Sequence, residues 1–336
     1  MSALQIITNS RAKDFRACNR LHHLRYNLGY VPATEPETTR FGTLWHDGQD
    51  AWWSAIKAGL AQEDWLNSAI DAMRAKSPDA FDLARAEELM AGYHIRWCAE
   101  AYEVLEVEVE FVCDLLNPAT NAASRTFQLA GKLDAIVRDR EGRVLMAEHK
   151  TTSENVGVGS EYWRRLTLDA QISTYFRGAR SLGYDIEGCL YDVVVKPKQQ
   201  LLLATPMETR KYTKKTGELY ANQRETDETI WEYRQRVRDH IAENPNAYFQ
   251  RGDVTRLPEQ DEDAAYDVWH IARMIREGQT ANRHPKNPDA CSRWGRTCAF
   301  FDVCCGIASL DDETQFKRID NPHPELTQIT RKPEAA

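Results

Sequence analysis

Apolar and polar positions change rhythm at about residue 103. Before it, apolar side chains recur at three- and four-residue intervals, the spacing of helices with one buried face. Thr8 or Ser10 is placed to cap a helix running through Phe15, Cys18, Leu21 and Tyr26. A stretch rich in Pro, Thr and Glu at 31–39 reads as a loop. Leu44, Trp45, Trp52, Trp53 and Ile56 then mark a second helix, and 61–76 and 79–102 two more. In EVEVEFV the period drops to two. Glu106, Glu108 and Glu110 alternate with Val107, Val109 and Phe111, as in a strand with one buried face.

Residues 127–137 and 143–150 read as two further strands, joined by the turn sequence RDREG into an antiparallel hairpin. EYWRRLTLDAQISTYFRGARSLG reads as one helix ending at Gly183. GCLYDVVVKP is a fourth strand ended by Pro197, and LLLATPMET a fifth. Helices are expected near 225–244 and 262–277, then a cysteine-rich segment at 291–305 and a loose polar tail from 311. This order predicts a mixed α/β fold, with a central mixed sheet flanked by helices. One domain is expected over 1–310: a helical part (1–102), a sheet core (103–210), and C-terminal helices with the cysteines (211–310). The tail takes 311–336.

Composition narrows the class. The chain has 336 residues, 42% hydrophobic and 28% charged, which excludes an intrinsically disordered protein. It has no apolar run long enough to span a membrane. The N-terminus lacks the basic–apolar–small order of a signal peptide, so a cytoplasmic location is expected. The net charge of −8, from 51 acidic and 43 basic residues, counts against broad non-specific nucleic-acid binding. It leaves room for a locally basic path beside an acidic metal site.

The stretch GKLDAIVRDREGRVLMAEHK carries the candidate chemistry. If its turn centres on 139–142, Asp134 lies nearly opposite Glu148, while Glu148 and Lys150, two apart, project from the same face. Two carboxylates and an amine would then converge. Hard divalent cations such as Mg²⁺ take oxygen ligands of this kind, and a lysine beside them can orient an attacking water. The same spacing also fits a solvated hairpin. The flanking Leu133, Ala135, Ile136, Leu145, Met146 and Ala147 argue for a buried one, where charge is expensive unless a cation answers it.

G-x-x-D followed by E-x-K, downstream of a helical G-x-x-x-H, resembles the PD-(D/E)XK nuclease superfamily, and within it the RecB-like exonucleases and their CRISPR-associated and phage relatives. Gly131-Lys132-Leu133-Asp134 matches the first motif and Glu148-His149-Lys150 the second. Gly42-Thr43-Leu44-Trp45-His46 matches the histidine motif, and Gln171-Ile172-Ser173-Thr174-Tyr175 the Q-x-x-x-Y motif. The resemblance implies a restriction-endonuclease-like core and a metal-dependent deoxyribonuclease, of exonuclease type. His46, Asp134, Glu148 and the backbone carbonyl of His149 would hold Mg²⁺ or Mn²⁺. Lys150 would act on the nucleophile, and Gln171 and Tyr175 would contact DNA or support the lysine. DNA, single-stranded or at duplex ends, is the implied partner, and a helicase, recombination or CRISPR protein a possible second one. The alternative is a DNA-binding or adaptor protein that keeps the fold without catalysis. Glu108 and Glu110 could reach the metal from the preceding strand, though a solvated face explains them more simply.

Four of the eight cysteines fall within fifteen residues of one another: Cys291, Cys298, Cys304 and Cys305. With the distant Cys18, three of them could supply four thiolates, which suit tetrahedral zinc or an iron–sulfur cluster. RecB-like relatives with clusters use one N-terminal and three C-terminal cysteines. The resemblance therefore implies a [4Fe-4S] cluster on Cys18, Cys291, Cys298 and Cys304, with zinc and Cys305 as open alternatives. The first C-terminal gap, six residues, departs from the family's usual two. Cys98, Cys113 and Cys189 are expected to be buried apolar side chains. Candidate DNA contacts are Arg164, Arg165 and Arg177 near the Q-x-x-x-Y helix. Lys211, Lys214 and Lys215, interleaved with Tyr212 and Tyr220, are also candidates.

Overall fold

The computed structural model describes residues 4–34, 37–77, 79–293 and 296–327. The chain runs β1 (Gln5–Ile7), α1 (Asn9–Ala17), α2 (Asn19–His22), β2 (Tyr30–Pro32), α3 (Glu37–Lys57), α4 (Gln62–Lys76) and α5 (Ala80–Trp97). Then come β3 (Glu103–Leu116), β4 (Ala123–Arg138), β5 (Val144–Thr152), α6 (Glu161–Arg165), α7 (Ala170–Ser181) and β6 (Gly188–Val195). The remainder is α8 (Ile230–Glu243), α9 (Pro245–Tyr248), β7 (Phe249–Val254), α10 (Pro258–Ala281), β8 (Ser292–Arg293), β9 (Arg296–Thr297), α11 (Phe301–Cys305) and β10 (Phe316–Arg318).

A six-stranded mixed sheet organises the molecule. β3 pairs antiparallel with β4, β4 with β5, and β6 with β7, while β5 and β6 run parallel. β4 is long enough to use its other edge twice. Its first half takes β1 in parallel at Phe127–Leu129, and its last residues take β5, with Ala135 opposite Ala147. Between these two partners, at 130–134, that edge carries no strand among the described residues. Here β5 parts from β4 and continues along β6, and the sheet opens.

Two apolar layers cover the sheet. On one face α3, α4, α5 and α8 pack Trp45, Trp52, Trp53, Leu89, Tyr93 and Val237 against Ala135, Val137 and Ala147. On the other, α1, α7 and α10 pack Phe15, Ile172, Phe176 and Ile271 against Leu129, Leu133 and Met146. A smaller cluster of Leu24, Phe300 and Phe316 joins the two ends of the chain. Among the described residues no helix is long and apolar enough to cross a membrane.

Several expectations need correction. Residues 201–209 form no strand. The backbone N–H groups of Leu202 and Ala204 are taken by the carboxylates of Glu228 and Asp227, and β7 already occupies the edge of β6. The sheet therefore extends beyond 103–210, because β1 and β7 come from outside that range, and the first hundred residues are not wholly helical. Thr8 does cap α1, accepting from Arg11 N, but extended backbone at Cys18 (φ −163°) ends that helix before Leu21. The helix expected after β5 is broken at Asp169, whose side chain caps α7. The described part of the expected tail is packed: β10 pairs with β2, Phe316 stacks on Phe300 at 5.3 Å, and His323 and Leu326 are buried. Residues 328–336 of that tail lie outside the described residues.

Candidate active site

A cleft of about 540 Å³ opens where β4 and β5 part, and His46, Asp134, Glu148, Lys150, Gln171 and Tyr175 all line it. Each element delivers its side chain for a local reason. The β4–β5 register sets Ala135 against Ala147, so the next pair along is Asp134 and Glu148. Where the ladder stops, His149 N donates to Asp134 Oδ2 at 2.7 Å, so a carboxylate takes the place of a strand carbonyl. Glu148 and Lys150 lie on one side of β5, and the Lys150 ammonium pairs with Glu148 Oε1. The same oxygen accepts from Gln171 Nε2 at 2.7 Å, which docks α7 against the site.

Gly131 explains itself sterically. A Cβ there would meet Phe111 Cε1 at 2.8 Å and Tyr175 Cε1 at 3.0 Å, so the missing side chain lets Tyr175 reach the cleft. Glu108 sits on β3 between the pairs Val107–Ala135 and Val109–Leu133, with left-handed backbone at φ 54°. A non-glycine residue in that region stores strain. Its carboxylate pairs with Lys132, and both line the cleft. Glu110 instead accepts from Thr327 N and Oγ1 at 2.7 and 3.1 Å, outside the cleft lining.

The electrostatics are those of too many carboxylates in too little water. Burial, with the charge of Asp134, pushes Glu148 up to about 7 against the pull of Lys150. Burial opposes ionisation of Asp134 too, but His46, His149, Lys150 and the His149 N–H outweigh it and hold the carboxyl below its ordinary value. Burial lowers His46 to about 4, so its imidazole is neutral and able to ligate. It also works against the charge of Lys150, yet Glu148 and Asp134 hold the ammonium protonated.

Sequence reasoning missed Asp50. It lies one turn beyond His46 on α3, lines the cleft, and is pushed up to about 7 by burial and by Asp134. The i,i+4 spacing from His46 was the available signal.

The donor set fits a hard divalent cation. Among the described residues Glu148 Oε2 and Asp50 Oδ1 are buried without a hydrogen-bond partner, and a cation would reverse the upward pressure on both groups. Among the described residues no three His, Cys, Asp or Glu side chains, in the cleft or among the cysteines, stand in an arrangement that would hold a metal ion without some movement.

The cysteines gather elsewhere. Asn287 N donates to Cys18 Sγ at 3.4 Å, Cys291 Sγ lies 3.6 Å from Asn287 O, and Cys298 N donates to Cys291 O at 2.8 Å. Burial raises the Cys298 and Cys304 thiols, with Cys291 and Cys18 adding to the rise at Cys298 and Cys298 and Cys18 adding to it at Cys304. Cys304 is half-buried in this group, whereas Cys305 is exposed. Cys189 is buried as expected, but Cys98 and Cys113 are only half-buried.

None of the six expected DNA-contacting basic residues lines the cleft. Arg164 pairs with Glu161, and Arg165 with Glu154 at 2.8 Å. Arg177 lines a separate cavity between α7 and α10 with Cys113 and Asp261. Lys211, Lys214 and Lys215 are exposed on the excursion between β6 and α8. Among the described residues the lysines that line the cleft are Lys132 and Lys150.

A family model described as the PD-(D/E)XK nuclease superfamily matches residues 7–305. No curated protein matches the chain. Among solved structures, one titled "Crystal structure of SSO0001" is 12% identical with a TM-score of 0.31. That match covers 85% of this chain and 80% of the other.

Proposed function

Because the chain belongs to the PD-(D/E)XK nuclease superfamily, we propose that it is a divalent-metal-dependent deoxyribonuclease of the RecB-like exonuclease group. The observation that carries this reading is the convergence of Asp134, Glu148 and Lys150 where β4 and β5 part, with Glu148 Oε2 left unpartnered. The order of motifs from His46 to Tyr175 supports the RecB-like assignment.

His46, Asp134, Glu148 and the main-chain carbonyl of His149 would hold Mg²⁺ or Mn²⁺. When bound, the cation supplies Lewis acidity toward water and phosphate oxygen. The protein's own part is positional and electrostatic. Lys150, held protonated, places positive charge where the phosphate gains negative charge and orients the incoming water. Gln171 fixes the Glu148 carboxylate, and Tyr175, seated against Phe111, closes the wall of the cleft. Lys132 adds a second positive charge to the phosphate path.

Cys18, Cys291, Cys298 and Cys304 would hold a [4Fe-4S] cluster that staples the N-terminal segment to the C-terminal one. The approach of Cys18 to the Asn287 main chain supports that set, and the exposure of Cys305 favours Cys304. Iron and acid-labile sulfide in anaerobically purified protein are expected. Zinc alone would replace the cluster by a zinc staple. Lys211, Lys214 and Lys215, with Tyr212 and Tyr220, are proposed to guide a single strand from the solvent side.

The test is a cleavage assay on end-labelled single-stranded and double-stranded DNA. Degradation is expected with Mg²⁺ or Mn²⁺ and none with EDTA. Intact DNA of both kinds under all metal conditions would leave the non-catalytic DNA-binding alternative.

A further inference from the structure

A row of polar residues crosses the sheet behind the cleft. His149 on β5 is in register with Asp192 on β6, and Asp192 with Arg251 on β7. The row lies on the opposite side of β5 from Glu148. His149 stacks on Trp53 of α3 at 5.5 Å, whereas Glu148 meets Gln171 of α7. All three are buried, with side-chain exposures of 2%, 1% and 6%.

Their contacts are specific. Asp192 Oδ2 accepts from the Tyr93 hydroxyl at 2.5 Å and from Arg251 Nη2 at 3.1 Å, and it stands 3.3 Å from His149 Nδ1. Arg251 also donates to the Tyr93 hydroxyl at 2.6 Å and to Glu100 at 2.5 Å, with its guanidinium 4.4 Å from the Trp97 ring. Among the described residues Asp192 Oδ1 and both ring nitrogens of His149 are buried without a hydrogen-bond partner, so His149 Nδ1 meets Asp192 at ion-pair distance only.

Stability is a weak reason for such a row. Desolvating two charges roughly cancels their attraction, and apolar side chains of the same volume pack at least as well. The unpartnered atoms make the balance worse. What the row does fix is the position of His149, the residue between Glu148 and Lys150. Its ring is clamped between Trp53 and Asp192, and its main-chain N–H is the donor to Asp134 Oδ2.

We propose that His149, Asp192 and Arg251 are positioning residues for the cation site. Through the His149 ring they hold the main chain of β5 in the register that aims Asp134 and the His149 carbonyl at the metal. This rests on the metal-dependent reading above.

The test is Mn²⁺ affinity of the full chain without DNA, read from the electron paramagnetic resonance signal of free Mn²⁺. Asp192→Asn and His149→Phe should each weaken it by roughly 10- to 100-fold, the effect typical of removing a partner behind a ligand. His149→Phe keeps a ring on Trp53 and leaves the Asp192–Arg251 pair intact, so it carries the test if Asp192→Asn fails to fold. Val237→Ala, which opens a cavity in the same apolar layer away from the row, should lose stability and keep its Mn²⁺ affinity. Affinity within twofold of the parent in folded His149→Phe would overturn the proposal. So would equal weakening in Val237→Ala. A parent chain that binds no Mn²⁺ at all would overturn the metal reading and this proposal together.

Discussion

Glu148 sits at the crossing of the forces in the cleft. One oxygen is shared by Lys150 and Gln171, and the other is buried with no partner, an arrangement that makes chemical sense if the second oxygen faces a cation. Gly131 shows how tightly the surroundings are drawn. Gly131→Ala should destabilise the fold by ~1–3 kcal/mol and displace Tyr175, because the added methyl meets two rings at once. Urea unfolding of the variant measures the first effect, and an unchanged midpoint would mean that Phe111 and Tyr175 yield freely. The meeting of Asp134, Glu148 and Lys150 was legible in the sequence because hairpin pairing is a local rule, whereas Gln171 and Tyr175 were picked out by resemblance to the Q-x-x-x-Y motif, their i,i+4 spacing alone fitting ordinary packing. Asp50 was not singled out, because its i,i+4 spacing from His46 is shared by any solvated aspartate on the same helix face. Arg164, Arg165 and Arg177 were expected near the cleft from their closeness to Gln171 in sequence. On α6 and α7 they face acidic partners or another cavity instead.

At the level of elements, the site exists because β4 serves two neighbours and leaves a gap between them. β1 closes one end of that edge and β5 the other. Neither β1 nor β7 was anticipated. Each is short, and its place depends on a partner strand far away in sequence, which periodicity cannot report. Residues 201–209 carried an apolar strand-like pattern but lost the competition for the β6 edge to β7. The excursion that contains them carries Lys211, Lys214 and Lys215. Replacing all three by Ala should lower affinity for single-stranded DNA uniformly across sequences. The slope of log affinity against log salt should fall by about 2. An unaltered slope would remove these lysines from the strand path. β10 makes the opposite case, a segment whose polar composition hid a packed role. Phe316 is 3% exposed and stacked on Phe300, so Phe316→Ala should cost ~3–5 kcal/mol, read as a lowered thermal midpoint. A shift of only a degree or two would show that the strap contributes little.

Across the whole molecule, the two chain ends meet in one module. His22 lies at its centre, edge-on to Phe15, stacked on Tyr26 and accepting from Arg11 Nε at 3.1 Å, while Tyr26 packs on His323 from the far end. Burial, and then the charge of Arg11, lowers His22 to about 3. The folded chain therefore keeps this imidazole neutral where the unfolded chain, titrating near 6.5, takes up a proton. Its contribution to stability is complete above about pH 6.5 and is lost as pH falls toward 3, by up to ~1.4 kcal/mol per pH unit. His22→Gln, which can still accept from Arg11, should make the fall in thermal midpoint between pH 6.5 and 4 shallower. An identical fall in both proteins would exclude His22 as its source. The acidic net charge of −8 fits a molecule whose basic groups are local.

Asp134, Glu148 and Lys150 are proposed to act as one catalytic group. The most direct measurement compares the parent and Lys150→Ala on an end-labelled single strand with saturating Mn²⁺, with circular dichroism on both. The parent should cleave and the variant should lose roughly 10²-fold or more of that rate, with folding unchanged. A folded Lys150→Ala that cuts at the parent rate would contradict the proposal.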